Sequence, residues 1–252
     1  MSQVNVRTRT PIFEIHDDVT PQELNLEAAF LFYRSQDGRS VYASQHPIVF
    51  SPENPHAPVL GPGRAPSKKA IAALGASVAA ATAFSGFVPA GMLYTGPNAM
   101  AWWCPPLLRH MWFKTSDAII GEAHASISQP GLVFIAAHGD VHVFAVTGAE
   151  RPVPDTKLFK APYFNVWEGG KVCAGNVNFP KTTDASAIDA YERAFFGSRF
   201  THPNDKKLVK WKGGSVHMWK HLLDNPNAEW DWAKRLVPCG ATLAETIKGI
   251  TK

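Results

Sequence analysis

The sequence predicts an α+β fold: an N-terminal β-hairpin, a helix, an antiparallel meander, an irregular loop and C-terminal helices. Hydrophobic residues make up 45% of the 252 residues, which is enough for a sizeable core. Short apolar runs joined by tight turns fill the middle of the chain. Alanine-rich or helically spaced sequence lies on either side of them.

The first 66 residues are predicted to form a β-hairpin followed by a linker or a long surface loop. The runs AAFLFYR and SVYASQHPIVF flank a turn at Gln36, Asp37 and Gly38, and an Asp-Gly pair tolerates the positive φ of tight turns. The segment SPENPHAPVLGPGRAP excludes a helix or a central strand because it carries five prolines. These are Pro52, Pro55, Pro58, Pro62 and Pro66.

The following segment, up to residue 200, is predicted to hold the core elements. Ser67 can cap a helix that continues to about Phe84. The candidate strands are GMLYT, AMAWWCP, HMWFK, LVFIAA and VHVFAV, the last two joined by His138, Gly139 and Asp140. Residues 155–180 show little periodicity. Asp184 can cap the helix in ASAIDAYERAFFG, with Gly197 as its terminator, and SVHMWKHLLD, EWDWAKRL and ATLAETIKGI follow as short helices.

Charge and cysteine usage limit the classes of partner. The net charge is +4, and the cluster of Lys206, Lys207, Lys210 and Lys212 is interpreted as a solvated surface rather than a nucleic-acid site. The stretch 70–84 is too short to span a bilayer, and the N-terminus lacks a signal-type apolar run. We therefore expect no membrane partner, and the odd number of cysteines without paired spacing favours a reducing cytoplasm.

Three cysteines with no paired spacing predict neither a disulfide framework nor a zinc cluster, so no metal or cofactor is expected. Cys104 and Cys239 are interpreted as core residues. Cys173 lies in GGKVCAGNVNF, which is rich in glycine and poor in bulky side chains, and Lys171 could weakly favour its thiolate. A buried structural cysteine and a reactive thiol both remain open at this point.

A reactive Cys173 could serve three chemistries. A protease-like nucleophile needs a histidine base, for which His138 and His142 are candidates, but no local protease signature is present. A metal ligand needs partners at ligand spacing, which these two histidines support only weakly. An acyl carrier needs exposure and a donor for the oxyanion that forms when an amine attacks its thioester. Asn165, eight residues earlier across a Glu-Gly-Gly turn, is such a donor.

The stretch YFNVWEGGKVC resembles the active site of ubiquitin-conjugating (UBC) enzymes. In that superfamily a His-Pro-Asn tripeptide precedes the catalytic cysteine, with the asparagine eight residues before it and a Gly-x-(Ile/Val)-Cys approach. Gly170 to Cys173 match the approach, and Asn165 falls at the asparagine position. Tyr163 and Phe164 replace the His-Pro pair, and Ala174 stands where leucine is usual.

The resemblance implies a UBC-like fold: a helix, a four-stranded antiparallel meander, an active-site loop and C-terminal helices. Residues 67–200 would form this UBC-like core, after an extension of residues 1–66 (hairpin and Pro-rich linker) and before a helical segment of residues 201–252. The whole chain is similar to the bacterial PRTRC system protein B family in LYTGPNAMAWWCPP, PYFNVWEGGKVCAGNV and FFGSRFTH.

This resemblance implies that Cys173 carries a ubiquitin-like protein as a thioester and passes it to an amine. Asn165 would stabilise the oxyanion, supported by Gly169, Gly170, Tyr163 and Phe164. The implied partners are a ubiquitin-like protein, a ubiquitin-activating-like enzyme and a JAB-type metallopeptidase, whose genes neighbour those of the family on mobile elements. The lost His-Pro pair keeps a second interpretation open: an inactive UBC-like binding module in a plasmid or mobile-element maintenance complex.

Overall fold

A computed structural model describes residues 4–7, 11–17, 20–22, 24–26, 28–37, 41–51, 54–82 and 87–252. The chain divides into two compact units, Met1–Phe84 and Ser85–Lys252. In the described residues, no helix is long and apolar enough to cross a membrane.

The described residues of the first unit form two small sheets and one helix. Four strands, β1 (Val4–Arg7), β2 (Pro11–Asp17), β3 (Thr20–Gln22) and β4 (Leu24–Asn25), form a sheet in the order β3-β2-β1-β4. Three more, β5 (Ala28–Arg34), β6 (Val41–Ser51) and β7 (Asn54–Leu60), form a second sheet in the order β5-β6-β7. Helix α1 spans Lys68–Thr82. The sequence reasoning did not identify the first four strands.

The predicted hairpin is confirmed, because β5 and β6 pair antiparallel from Ala28 opposite Pro47 to Arg34 opposite Val41. Gly38 of its turn lies outside the described residues. The predicted cap of α1 is also confirmed: the backbone nitrogen of Ala70 donates to Ser67 Oγ at 3.1 Å. The predicted end of this helix near Phe84 lies outside the described residues.

The proline-rich segment is not only a linker, since residues 54–60 of it form β7. Among the described strands it pairs with β6 alone, as an edge strand does. Proline lacks the N–H that a central strand would need, but the outer side of an edge strand makes no such demand. Pro55 and Pro58 exclude a central strand, as predicted, but they are compatible with an edge strand such as β7.

The second unit carries the remaining elements. Its strands are β8 (Met92–Gly96), β9 (Ala99–Cys104), β10 (Leu108–Lys114), β11 (Glu122–Ser128), β12 (Gly131–Ala137), β13 (Asp140–Val146), β14 (Lys157–Lys160), β15 (Arg199–Phe200) and β16 (Pro238–Thr242). Its helices are α2 (Ile188–Phe196), α3 (Gly214–Asp224) and α4 (Leu243–Ile250), with short 3-10 turns at Ala185–Ala187 and Trp232–Lys234.

Six of these strands form one antiparallel sheet in the order β16-β14-β13-β12-β9-β8. The antiparallel arrangement agrees with the prediction, but the simple meander does not: β10 pairs with β11 and β15 in a separate sheet, so β9 is followed in space by β12. The physical reason is burial. Strand β12 is buried on both faces, whereas β10 alternates between buried and exposed residues and suits a sheet with one solvated face.

Local turn and cap chemistry behaves largely as predicted. His138 and Gly139 join β12 to β13 and have φ of 53° and 83°. A two-residue hairpin turn of type I′ requires a positive φ at both positions. Asp184 accepts from the backbone nitrogen of Ser186 at 2.9 Å and caps the turn that leads into α2. Helix α2 ends at Gly197, where a Cβ would lie 2.7 Å from the Arg193 carbonyl oxygen. In EWDWAKRL, predicted as a helix, only a 3-10 turn forms.

The two faces of the six-stranded sheet are covered by different helices. On one face Trp102 and Phe134 stack at 5.2 Å between ring centroids and pack with aromatic side chains of α2 and α3. On the other face, Leu243 and Ile247 of α4 join a smaller cluster that contains Phe144 and Leu158. The sheet therefore forms the central layer of the second unit.

Candidate functional site

Residues 165–173 form a tight hairpin that ends at Cys173. The backbone nitrogen of Cys173 donates to the Asn165 carbonyl oxygen at 2.7 Å, and Val166 pairs antiparallel with Val172. The turn is made by Gly169 and Gly170, whose φ values are 87° and 85°. Glycine reaches this left-handed region without strain, which explains the pair at this position.

The second limb of the hairpin lies along β13. The backbone nitrogen of Val143 donates to the Gly170 carbonyl oxygen at 2.9 Å, and that of Val172 donates to the Val141 carbonyl oxygen at 2.8 Å. Strand β14 pairs with the later part of β13 through Phe144 and Ala145. The hairpin limb and β14 therefore lie one after the other along the same side of β13. A Cβ on Gly170 would lie 2.5 Å from the Phe144 ring, so this glycine is also required by space.

Cys173 is half-buried and lies where the chain leaves the core. Val172, just before it, belongs to the core, whereas Ala174 and Gly175 after it are exposed. Lys171 forms an ion pair with Asp140 at 2.7 Å between Nζ and Oδ2. Its charge is therefore shared with a carboxylate, which weakens its influence on the thiol.

The other two cysteines have different surroundings. Cys104 is 2% exposed, and burial together with Glu192 raises its pKa to about 11. Arg109 Nη2 lies 3.0 Å from its sulfur and 2.6 Å from Glu192 Oε2. The prediction of a core residue is confirmed for Cys104. Cys239 is only half-buried, although burial also raises its pKa to about 11.

Asn165 adopts a left-handed conformation with φ of 61°, which asparagine tolerates better than most residues. Its Nδ2 donates to the Arg199 carbonyl oxygen at 2.9 Å. Its Oδ1 accepts from the Thr201 hydroxyl at 2.6 Å and from the Thr201 backbone nitrogen at 3.2 Å. The structure therefore brings Asn165 and Cys173 together through their backbones, while the amide of Asn165 binds the chain at residues 199–201.

Tyr163 and Phe164 lie beneath the hairpin as core residues. Tyr163 is fully buried, and its hydroxyl donates to Gln129 Oε1 at 2.8 Å. Burial holds the pKa of Tyr163 well above its usual range. Phe164 is 1% exposed and meets Phe113 edge-on at 5.6 Å between ring centroids. The pair that replaces His-Pro is thus an aromatic anchor for the start of the hairpin.

The two histidines considered as bases do not pair with the thiol in the structure. His138 occupies the turn before β13. His142 lies opposite Lys171, and its Nδ1 is buried without a hydrogen-bond partner among the described residues. Burial is the main cause that lowers the pKa of His142, opposed by Asp140. No hydrogen bond joins either side chain to Cys173 in the described residues.

His202 is exposed beside the hairpin and is not among the predicted site residues. Its carbonyl oxygen accepts from the Asn165 backbone nitrogen at 3.0 Å, and its Nδ1 lies 2.9 Å from the Thr201 hydroxyl. A signal was present, because residues 202–204 read His-Pro-Asn, the tripeptide that is missing before the cysteine. Asn204 Nδ2 is buried without a partner among the described residues.

A cavity of about 280 Å³ lies behind the hairpin turn, lined by Trp167, Gly170, Phe144 and Cys239 among others. Lys160 forms an ion pair with Asp205 in it and lies 3.7 Å from Glu168. Burial alone would raise the pKa of Asp205, but hydrogen bonds from Lys160 and from the Lys207 backbone lower it. Lys160 thus connects β14 to Asp205 in the segment that follows β15 and lies near Glu168 of the hairpin.

These features describe an α+β protein with a half-buried cysteine on a glycine hairpin that is bonded to β13. The chain belongs to prokaryotic E2 family D, whose model matches residues 67–239. It is therefore an E2-like protein, and the family implies partners such as a ubiquitin-like protein and an activating enzyme. Searches of the curated proteins and of the solved structures found no match.

Proposed function

We propose that this protein carries a ubiquitin-like protein as a thioester on Cys173 and transfers it to an amine. The Cys173 thiolate attacks the carbonyl carbon of the thioester on the activating enzyme. A new S–C bond forms, the old one breaks, and the thiolate of the activating enzyme leaves. An amine then attacks the same carbonyl, loses a proton to solvent or a base, forms an amide and releases the Cys173 thiolate.

The observation that carries this proposal is the hairpin that ends at Cys173. It is anchored by aromatic core residues at its start and by two backbone hydrogen bonds to β13 on its second limb. A thiol at the exit of such a rigid element is held in one place, which favours attack on an activated carbonyl. Lys171, Ala174 and Gly175 around it are exposed, so a partner's chain end can approach it.

In this proposal Asn165 has two functions. Its contacts with Arg199 and Thr201 hold the hairpin, and the second hydrogen of its Nδ2 is the proposed donor to the oxyanion. Gly169 and Gly170 provide the turn, and Tyr163 and Phe164 anchor it. We also propose that the protein is a bacterial cytoplasmic PRTRC system protein B relative, with a JAB-type metallopeptidase as a further partner.

The test is a thioester assay with the full chain, a candidate activating-like enzyme, a candidate ubiquitin-like protein and ATP. We expect an adduct on a non-reducing gel that a thiol reagent removes. Cys173→Ser should replace it with a thiol-resistant ester or with no adduct, and Cys239→Ser is the matched control that should retain it. No adduct with any combination of partners contradicts the proposal.

A second candidate, a non-catalytic binding module, is favoured by one observation. The Asn165 amide is engaged with residues 199–201 and makes no hydrogen bond to the Cys173 side chain among the described residues. The two candidates differ in their dependence on the thiol. A complex with the ubiquitin-like protein that Cys173→Ala retains, together with no thioester in the assay above, supports the module.

A further inference from the structure

The β8–α4 groove is a second concave site on the same unit, on the face of the sheet that α4 covers. It measures about 380 Å³ and is lined by Leu93 of β8, Val153 of the following loop, and Leu243 and Ile247 of α4, with Arg151 and Lys248 at its margin. Volumes of this size are typical of ligand sites. Five of the residues that line it, on α4 or just after it, lie beyond residue 239, where the match to the family ends.

The groove exists because α4 is too short to cover the sheet. A helix of eight residues is about 12 Å long. Six strands span about 24 Å in the hydrogen-bonding direction. Leu93 and Tyr94 at the β8 side consequently remain partly exposed, and Val153 is 55% exposed. Apolar surface is thus available in a concave site.

The charged side chains that line the groove are both cations. Arg151 donates to the carbonyl oxygens of Ala90 at 3.0 Å and Met92 at 2.5 Å, which fixes its position but leaves its charge uncompensated. In the part of the chain that the structure describes, no carboxylate lies within ion-pair distance of Arg151 or Lys248. Glu245, the nearest acid along α4, is engaged with the Thr242 cap. The groove therefore favours an anionic ligand.

The edge of the sheet indicates the shape of that ligand. Strand β8 is the outermost strand and pairs with β9 alone among the described strands. Arg151 occupies the start of its free edge at Met92, and the residues up to Gly96 follow. An extended peptide can add to such an edge as a further strand. Every second side chain of that peptide points to the α4 face, about 7 Å apart.

We propose that the β8–α4 groove binds an extended acidic segment of a partner protein through strand addition to β8. An apolar side chain of the segment fills the space between Leu93 and Ile247, and a carboxylate two residues away meets Arg151 and Lys248. The site lies three strands from β13, about 14 Å across the sheet, and the Cys173 hairpin lies on the far side of β13. It is a docking surface in addition to the proposed thioester site and does not depend on thiol chemistry.

The probe is the synthetic peptide acetyl-Ser-Thr-Leu-Thr-Glu-Thr-Ser-amide, added to the isotope-labelled full chain and followed by NMR. We expect amide shifts in β8 and α4, and binding at least about tenfold tighter than that of the same peptide with Lys in place of Glu. Replacing Leu with Ser should also weaken binding. Raising the salt concentration should weaken binding of the acidic peptide, because the attraction is electrostatic.

The decisive variant is Lys248→Glu, on an exposed position of α4. It should weaken binding of the Glu peptide and strengthen binding of the Lys peptide. Lys181→Glu makes an equal charge change at an exposed loop position and should leave the binding of both peptides unchanged. Equal binding of both peptides, shifts confined to other elements, or no effect of Lys248→Glu would overturn the proposal. It would also be overturned by concentration-dependent dimers that Lys248→Glu abolishes, because the groove would then bind a second copy of the chain.

Discussion

The backbone nitrogen of Cys173 lies 2.7 Å from the carbonyl oxygen of Asn165, to which it donates a hydrogen bond. This bond closes the hairpin between two residues that are eight positions apart in the sequence. Asn165 also binds Arg199, Thr201 and His202 through its side chain and its backbone nitrogen. A change at Asn165 will therefore affect the position of the thiol and that of the chain around β15 together.

Replacing Asn165 separates its contributions. Asn165→Ala loses the hydrogen bonds to Arg199 and Thr201 and keeps a Cβ at φ of 61°, so we expect the free energy of unfolding to fall by about 2–4 kcal/mol. Asn165→Gly loses the same bonds without the left-handed strain and should be about 1 kcal/mol more stable than Asn165→Ala. Urea unfolding followed by tryptophan fluorescence measures both.

The same pair of variants tests the proposed oxyanion donor. Where Asn165→Gly remains folded, thioester formation on Cys173 should persist and transfer to an amine should fall by about 10²–10³-fold, the usual effect of removing one donor. Single-turnover discharge of the preformed thioester gives this rate. Transfer at the rate of the unmodified chain would restrict Asn165 to holding the hairpin.

Alkylation should distinguish the three cysteines in the native protein. The pKa of Cys104 and that of Cys239 are raised to about 11, so about one thiol in a thousand is ionised at pH 8. We expect iodoacetamide to label Cys173 first and Cys104 last, because Cys104 is also fully enclosed. Mass spectrometry of proteolytic peptides gives the order. Labelling of Cys173 only after denaturation would contradict it and favour the binding module.

The sequence allowed prediction of the features that depend on neighbouring residues. The turn at His138 and Gly139, the cap at Ser67 and the hairpin of β5 and β6 each depend on side chains within a few positions of one another. The spacing between Asn165 and Cys173 also reflects a local structure, since a short hairpin with a glycine turn brings the two backbones together. Local chemistry was therefore sufficient for these elements.

Features that depend on distant residues could not be predicted in this way. Strand β15 pairs with β10, whose partner residues lie nearly ninety positions earlier, and the Asn165 side chain binds that same segment. Nothing near Tyr163 in the sequence indicates Gln129, to which its hydroxyl donates. Strand β11 was missed because its inward residues are mainly alanine, a weak apolar signal. Such pairings are decided by packing of the whole unit.

Gly169 and Gly170 form a matched pair, because both have positive φ but only one is sterically confined. A Cβ on Gly169 meets nothing within 4 Å, so Gly169→Ala should lower the free energy of unfolding by the backbone strain alone, about 1–2 kcal/mol. Gly170→Ala adds a clash with the Phe144 ring and should lower it by about 2–5 kcal/mol. Equal losses in thermal or urea unfolding would mean that the hairpin does not pack on Phe144.

His142 should make the stability of the protein depend on pH. Burial, with Lys171, lowers its pKa below the ordinary 6.5, and Asp140 only partly opposes this. Below pH 6.5 the unfolded chain therefore binds a proton that folded His142 still excludes, and stability falls until the pH passes below the folded pKa.

Urea unfolding between pH 7.5 and 5 measures this effect. The chain should lose more stability over that interval than His142→Gln, which has no group to titrate at this position. His217→Gln, at an exposed position of α3, is the control and should keep the full pH dependence. Lys171→Gln removes a cation that lowers the pKa of His142, so it should reduce the loss of unfolding free energy between pH 7.5 and 5. An unchanged pH dependence of the unfolding free energy in His142→Gln would show that His142 is solvated. It would also show that the hairpin does not cover β13 at Lys171.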